Sequence, residues 1–101
     1  MTRTAGKILC LTPTPGKQGT RIERWKYETL RRAIRRVVPK NKTGVEFRKL
    51  AGLVRQQLAA EELQAMGSLL WYTITVKLHL EAIGEIERVA DAQPQRLRRV
   101  N

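Results

Sequence analysis

The stretch GSLLWYTITVKLHLEAIG, Gly67 to Gly84, constrains the fold of this chain more than any other. Its span between two glycines suits one helix of about four turns, with Ser68 as N-cap and Gly84 closing the C-terminus. At about 100° per residue, Leu69, Tyr72, Val76, Leu80 and Ile83 share one arc, the natural core face. Trp71, Ile74 and Leu78 collect on the opposite arc, with Thr75 at its edge. A helix that is apolar on two sides needs cover on both. Three covers fit the outer arc: the N-terminal segment or the Leu63/Met66 turn of the same chain, a second copy or other protein, or the floor of a DNA groove.

The flanking segments define what this helix packs with. Tyr27, Leu30, Ile34 and Val37 recur at three- and four-residue steps, and Thr20-x-x-Glu23 has capping-box spacing, so a first helix is expected from there to Val38. Pro39 ends it. Lys40 to Gly44 is a basic turn, and Val45 supplies one bridge of a minimal strand. Phe47, Leu50, Val54 and Leu58 keep helical spacing, which predicts a second helix over 46–58. Residues 59–67 add one short helical turn that carries Leu63 and Met66 inward before Gly67 breaks it. After Gly84, two short runs, Ile86 to Val89 and Leu97 to Val100, surround the turn formers DAQP and read as a β-hairpin. Residues 1–20, with Pro13, Pro15, Gly16 and Gly19, read as an extended basic arm with a short strand at Lys7 to Leu11.

Three helices followed by a terminal hairpin is the order of a winged helix-turn-helix domain, and the junction Leu80 to Val89, LEAIGEIERV, resembles the point where the third helix of bacterial winged-helix regulators enters the wing. TPGKQGTRIERWKYETLRRAI, VEFRKLAGLV, WYTITVKLHLEAIGEIERV and PQRLRRV also resemble a small bacterial family of uncharacterised winged-helix-like proteins, over about residues 12–100. The resemblance implies an α+β, mostly α fold: an arm over residues 1–20, then a winged-helix domain over 21–101 with three helices and a C-terminal wing. It implies no biochemical activity. The connection at residues 59–67 is longer than that of an ordinary helix-turn-helix, so DNA-reading positions do not transfer directly.

Charge narrows the function. The chain carries a formal net charge of +11 over 101 residues, which favours a polyanionic partner, double-stranded DNA first. Residues 1–57 hold 15 Lys and Arg against 3 acids, residues 58–92 hold 2 against 6, and residues 93–101 add 3 Arg. The cations expected to touch phosphates are Lys17, Arg21, Arg24, Arg31, Arg32, Arg35, Arg36, Lys40 and Lys42, with Arg96, Arg98 and Arg99 on the second wing strand. On the apolar third helix only Lys77 and the Thr75 hydroxyl suit a groove. Trp71, Ile74 and Leu78 form the alternative, a homodimer or protein-partner interface. The first reading implies a transcriptional or nucleoid role with weak sequence discrimination.

Enzyme chemistry has little to build on. Gly16-Lys17 and Gly19-Thr20 lack the spacing of a phosphate loop, the single His79 has no second ligand at i±4, and Cys10 is the sole cysteine. The Glu61/Glu62 and Glu85/Glu87 pairs read as solvated charges. The expectation is a cytoplasmic, non-enzymatic protein with no cofactor, metal, membrane contact or small-molecule ligand.

Overall fold

The computed structural model describes residues 6–100, so residues 1–5 of the arm and Asn101 lie outside the described residues. The elements run β1 (Lys7–Cys10), β2 (Thr20–Glu23), α1 (Arg24–Val37), β3 (Val45–Glu46), α2 (Phe47–Gln57), α3 (Ala60–Met66), α4 (Leu69–Ala82), β4 (Ile86–Arg88) and β5 (Arg96–Arg99). This is an α+β fold with four helices, one antiparallel pair β1-β2, and an antiparallel three-stranded sheet ordered β3-β5-β4.

The arm differs from its expected form. β1 pairs with β2 in the register Ile8↔Ile22 and Cys10↔Thr20, so the Thr20–Glu23 segment is a strand and not a capping box. A cap contributes roughly 1 kcal/mol. The ladder instead pairs four residues of each strand and buries Ile22 and Cys10 in the core. Helix α1 therefore begins after Glu23, whose carboxylate accepts from Trp25 Nε1 at 3.0 Å. The hairpin is pinned to α4 by a hydrogen bond from the Leu11 backbone N–H to Nδ1 of the buried His79, at 2.9 Å.

The three long helices form where periodicity places them. Leu30 and Ile34 of α1, Leu50 and Val54 of α2, and Val76 and Leu80 of α4 meet in one buried cluster, with Ile86 and Leu97 from the three-stranded sheet. The short turn after α2 is a seven-residue helix, α3, that buries Met66; the Glu62 carboxylate accepts from the Ala59 N–H at 2.8 Å and caps its start. Ser68 caps α4 by accepting from the Trp71 N–H at 3.3 Å.

Just past the end of α4, one expected core residue turns outward. Ile83, expected in the core, is exposed because α4 ends at Ala82 and Gly84 turns the chain at φ +80°. The backbone N–H of Glu85 donates to the Leu80 carbonyl at 2.9 Å, and Ile86 enters the core in place of Ile83. At the other end of the sheet, Val45 pairs with Leu97 and Glu46 with Arg96. This close approach depends on Gly44 at φ +68°, where a Cβ would lie 2.3 Å from the Leu97 carbonyl oxygen.

Candidate nucleic-acid interface

The folded structure divides the cations into two populations. The first is engaged within the chain. Arg31 makes a bidentate contact with Glu85, with Nε to Oε1 at 2.9 Å and Nη2 to Oε2 at 3.0 Å, and Arg35 reaches the same carboxylate at 3.1 Å. Glu85 is thus not a solvated charge but the joint between α1 and the entry to β4. Burial pushes its carboxyl up, but the hydrogen bonds and charges of Arg31 and Arg35 outweigh this and hold it below the ordinary range.

The arginines of β5 are engaged in a different way. Arg99 Nε donates to the Val38 carbonyl at 2.9 Å, Arg98 Nη2 to the Lys40 carbonyl at 3.2 Å, and Arg96 Nε to the Thr43 carbonyl at 2.8 Å. Arg96 also pairs with Glu46 and Arg98 with Glu87. Three guanidiniums of β5 therefore brace the segment between α1 and β3. This turn has few backbone bonds of its own, so side-chain donors fix its shape.

The second population enters no ion pair. Among the described residues it comprises Lys7, Lys17, Arg21, Arg24, Arg32, Arg36, Lys40, Lys42 and Arg55. Arg32 and Arg36 are exposed one turn apart on α1, beside a shallow groove shared with Gln57 and Glu62. Lys40 and Lys42 follow on the braced turn, just beyond the α1 C-terminus. Arg21 stands on β2 and Lys17 on the loop between β1 and β2. Lys7 and Arg55 were missed as candidates, although their exposure on a strand start and a helix end leaves both available.

Lys77 and Thr75 do not form the polar edge expected of α4. Lys77 is 2% exposed; its Nζ lies 2.7 Å from Glu81 Oε2, donates to Gln95 Oε1 at 2.9 Å, and sits 4.6 Å from the centre of the Phe47 ring. Burial lowers its pKa, opposed by Glu81. The Thr75 hydroxyl donates to the Trp71 carbonyl at 2.9 Å. Thr75 and Leu78 instead line a cleft of about 230 Å³ with Thr12, Thr14, Lys17 and Gln18 of the β1–β2 loop. The loop half-covers Leu78, while Trp71 remains 48% exposed and Ile74 half-buried. The outer arc of α4 is thus covered at one end by its own chain and open at the other.

The family model for DUF6958, a family of unknown function, matches residues 7–97, which span the N-terminal hairpin and all four helices and end within β5. The chain belongs to that family. No curated protein and no solved structure matches it. In this DUF6958 member, the described residues contain no group of three His, Cys, Asp or Glu able to hold a metal ion. Burial pushes the Cys10 thiol up to about 11, which leaves it protonated and a poor nucleophile near neutral pH. Among the described residues no helix is long and apolar enough to cross a membrane.

The pKa directions give an acid response with a definite sign. Burial depresses His79 below its ordinary 6.5, so the unfolded chain binds a proton more readily and stability falls as pH drops below about 6.5. Glu85 is depressed from 4.5; its contribution is present above 4.5 and is lost as pH falls through its lower folded value. Thermal unfolding from pH 8 to pH 3 should therefore show a decline beginning near 6.5 that steepens below 4.5. Glu85→Gln should lower stability at pH 7 by about 1–2 kcal/mol, discounted for the partial exposure of Arg31, and should flatten the steep acidic part. An unchanged acid profile in Glu85→Gln would show that other carboxylates carry that response.

Proposed function

We propose that this chain is a double-stranded-DNA-binding protein of winged-helix type that holds the sugar-phosphate backbone through cations outside its third long helix. The observation that carries the reading is the set of exposed cations without internal carboxylate partners, above all Arg32, Arg36, Lys40 and Lys42, on α1 and the turn braced by β5. Phosphate contacts need accessible positive charge held in register, and a turn fixed by three arginines lowers the ordering cost of such contacts. The helix order, and a sheet in which a minimal strand after α1 joins a C-terminal hairpin, support the winged-helix part of the reading. α4 takes the place of a recognition helix but offers leucine, tryptophan and isoleucine where base edges call for Arg, Lys, Asn or Gln. Binding is therefore weakly discriminating, as suits a cytoplasmic nucleoid or general transcriptional role.

The salt dependence of binding to a random-sequence duplex tests this. With four phosphates neutralised, log K should fall against log salt with a slope of about −4, which is a loss on the order of 100-fold between about 50 and 200 mM salt. Unrelated duplexes of equal length should bind within a few-fold of one another. No binding at low salt, or binding indifferent to salt, overturns the proposal.

A further inference from the structure

We infer that the open end of the outer α4 face is a self-association surface on which a second copy of this chain packs. α4 is apolar around its circumference, and its inner side is filled by α1 and α2. On the outer side, Leu70 is 60% exposed, Trp71 is 48% exposed, and Ile74 lies between them on the same arc. This is the distribution of a helix buried on both sides, found here with one side half-open.

The tryptophan is already set as an anchor. Its ring meets Tyr72 edge-on at 4.9 Å between centres, and the Tyr72 hydroxyl accepts from Lys26 Nζ at 3.2 Å. A large side chain held by its neighbours loses less rotamer freedom on docking, and such aromatic residues dominate interface energetics.

Charge selects the occupant. Residues 58–76, which include α3 and the exposed half of α4, hold Glu61 and Glu62 and no Lys or Arg, in a chain that carries 20 basic residues. An acidic partner or a nucleic acid would gain more on the cationic surfaces, because this segment contributes no Lys or Arg to the open face. Two copies at +11 each repel one another wherever cations face cations; this surface lets them meet without that opposition. A face that pairs with itself about a two-fold axis closes as a dimer, and two such helices can interlock their side-chain ridges. The patch is small, so the dimer is weak, with Kd on the order of 10 μM.

Sedimentation equilibrium of the full chain without nucleic acid, from about 1 to 200 μM, tests the inference. The mass should rise from one chain toward two, and the transition should move to lower concentration as salt increases from about 100 to 500 mM, because screening relieves the residual repulsion. Leu70→Glu and, separately, Ile74→Gln should remain monomeric at about 200 μM with thermal unfolding within a few degrees of wild type. Acrylamide quenching of tryptophan should decrease as wild type concentrates and stay constant for Leu70→Glu. A wild type that is monomeric throughout at high salt, a dimer that survives both substitutions, or growth beyond two chains overturns the inference. Salt acts on DNA binding in the opposite sense, so failure of one proposal is distinguishable from failure of the other.

Discussion

Lys77→Ala is expected to destabilise the chain by about 3 kcal/mol, the low end for removal of one member of a buried ion pair. The lysine side chain is buried, and its ammonium serves Glu81, Gln95 and the Phe47 ring together. Alanine leaves a cavity and removes one of the two cations of Glu81, whose side chain is only 8% exposed; Arg88, at 2.8 Å, remains and keeps the loss at the low end. For a domain of this size, 3 kcal/mol corresponds to a fall in Tm of roughly 15 °C. Lys77→Met keeps the stem and should lose about half as much, because an apolar residue of similar volume replaces the packing while forgoing the charge. Urea unfolding of both variants measures the difference. An alanine variant within about 0.5 kcal/mol of wild type would mean that the ammonium reaches water.

Replacing Arg32, Arg36, Lys40 and Lys42 together by alanine is expected to weaken duplex binding about 100-fold at about 100 mM salt and to flatten the salt slope by about 3 to 4. These four side chains enter no ion pair among the described residues, so stability should change by less than about 1 kcal/mol. The contrast is Arg31→Ala with Arg35→Ala, which should lower stability because Glu85 loses both guanidiniums. That second variant should leave the salt slope closer to wild type. If the two pairs of outcomes are exchanged, with the Glu85 partners governing the slope, the division of cations is incorrect.

Much of the fold was legible because its signals are local. The stripes in α1 and α2, Ser68 before α4, the left-handed Gly84, the bridge at Val45 and the terminal hairpin all follow from spacing within a few residues. Of the N-terminal hairpin, the strand from Lys7 was legible but its pairing was not. Its register joins Ile8 to Ile22 across a loop containing Pro13 and Pro15, and nothing within either short strand names the other. The local capping-box signal at Thr20 and Glu23 competed with that pairing and lost to it.

The candidate site was less legible than the fold. Sequence marks which residues are cationic, but whether a guanidinium is available to a ligand depends on what lies within hydrogen-bond reach. Arg31 and Arg32 are neighbours in sequence; the first closes on Glu85, 54 residues away, and the second faces outward. The β5 arginines meet the main-chain carbonyls of residues 38, 40 and 43, and the composition of that turn does not show which guanidinium reaches which carbonyl. Lys77 is the sharpest case, since its i,i+4 spacing to Glu81 is visible while its cover by Phe47 and Gln95 is not.

The helices, the breaks between them, the excess of positive charge and the unusual apolarity of α4 are written in the residues, because periodicity, backbone restriction and charge are properties of residues and their near neighbours. Which arginines act as braces, the burial of Lys77, the packing of the N-terminal hairpin onto α4 and the exposure of Leu70 and Trp71 appear only once the chain is folded. Those outcomes turn on contacts between segments far apart in the chain, where burial and hydrogen-bond satisfaction select one partner among many of the same chemical type.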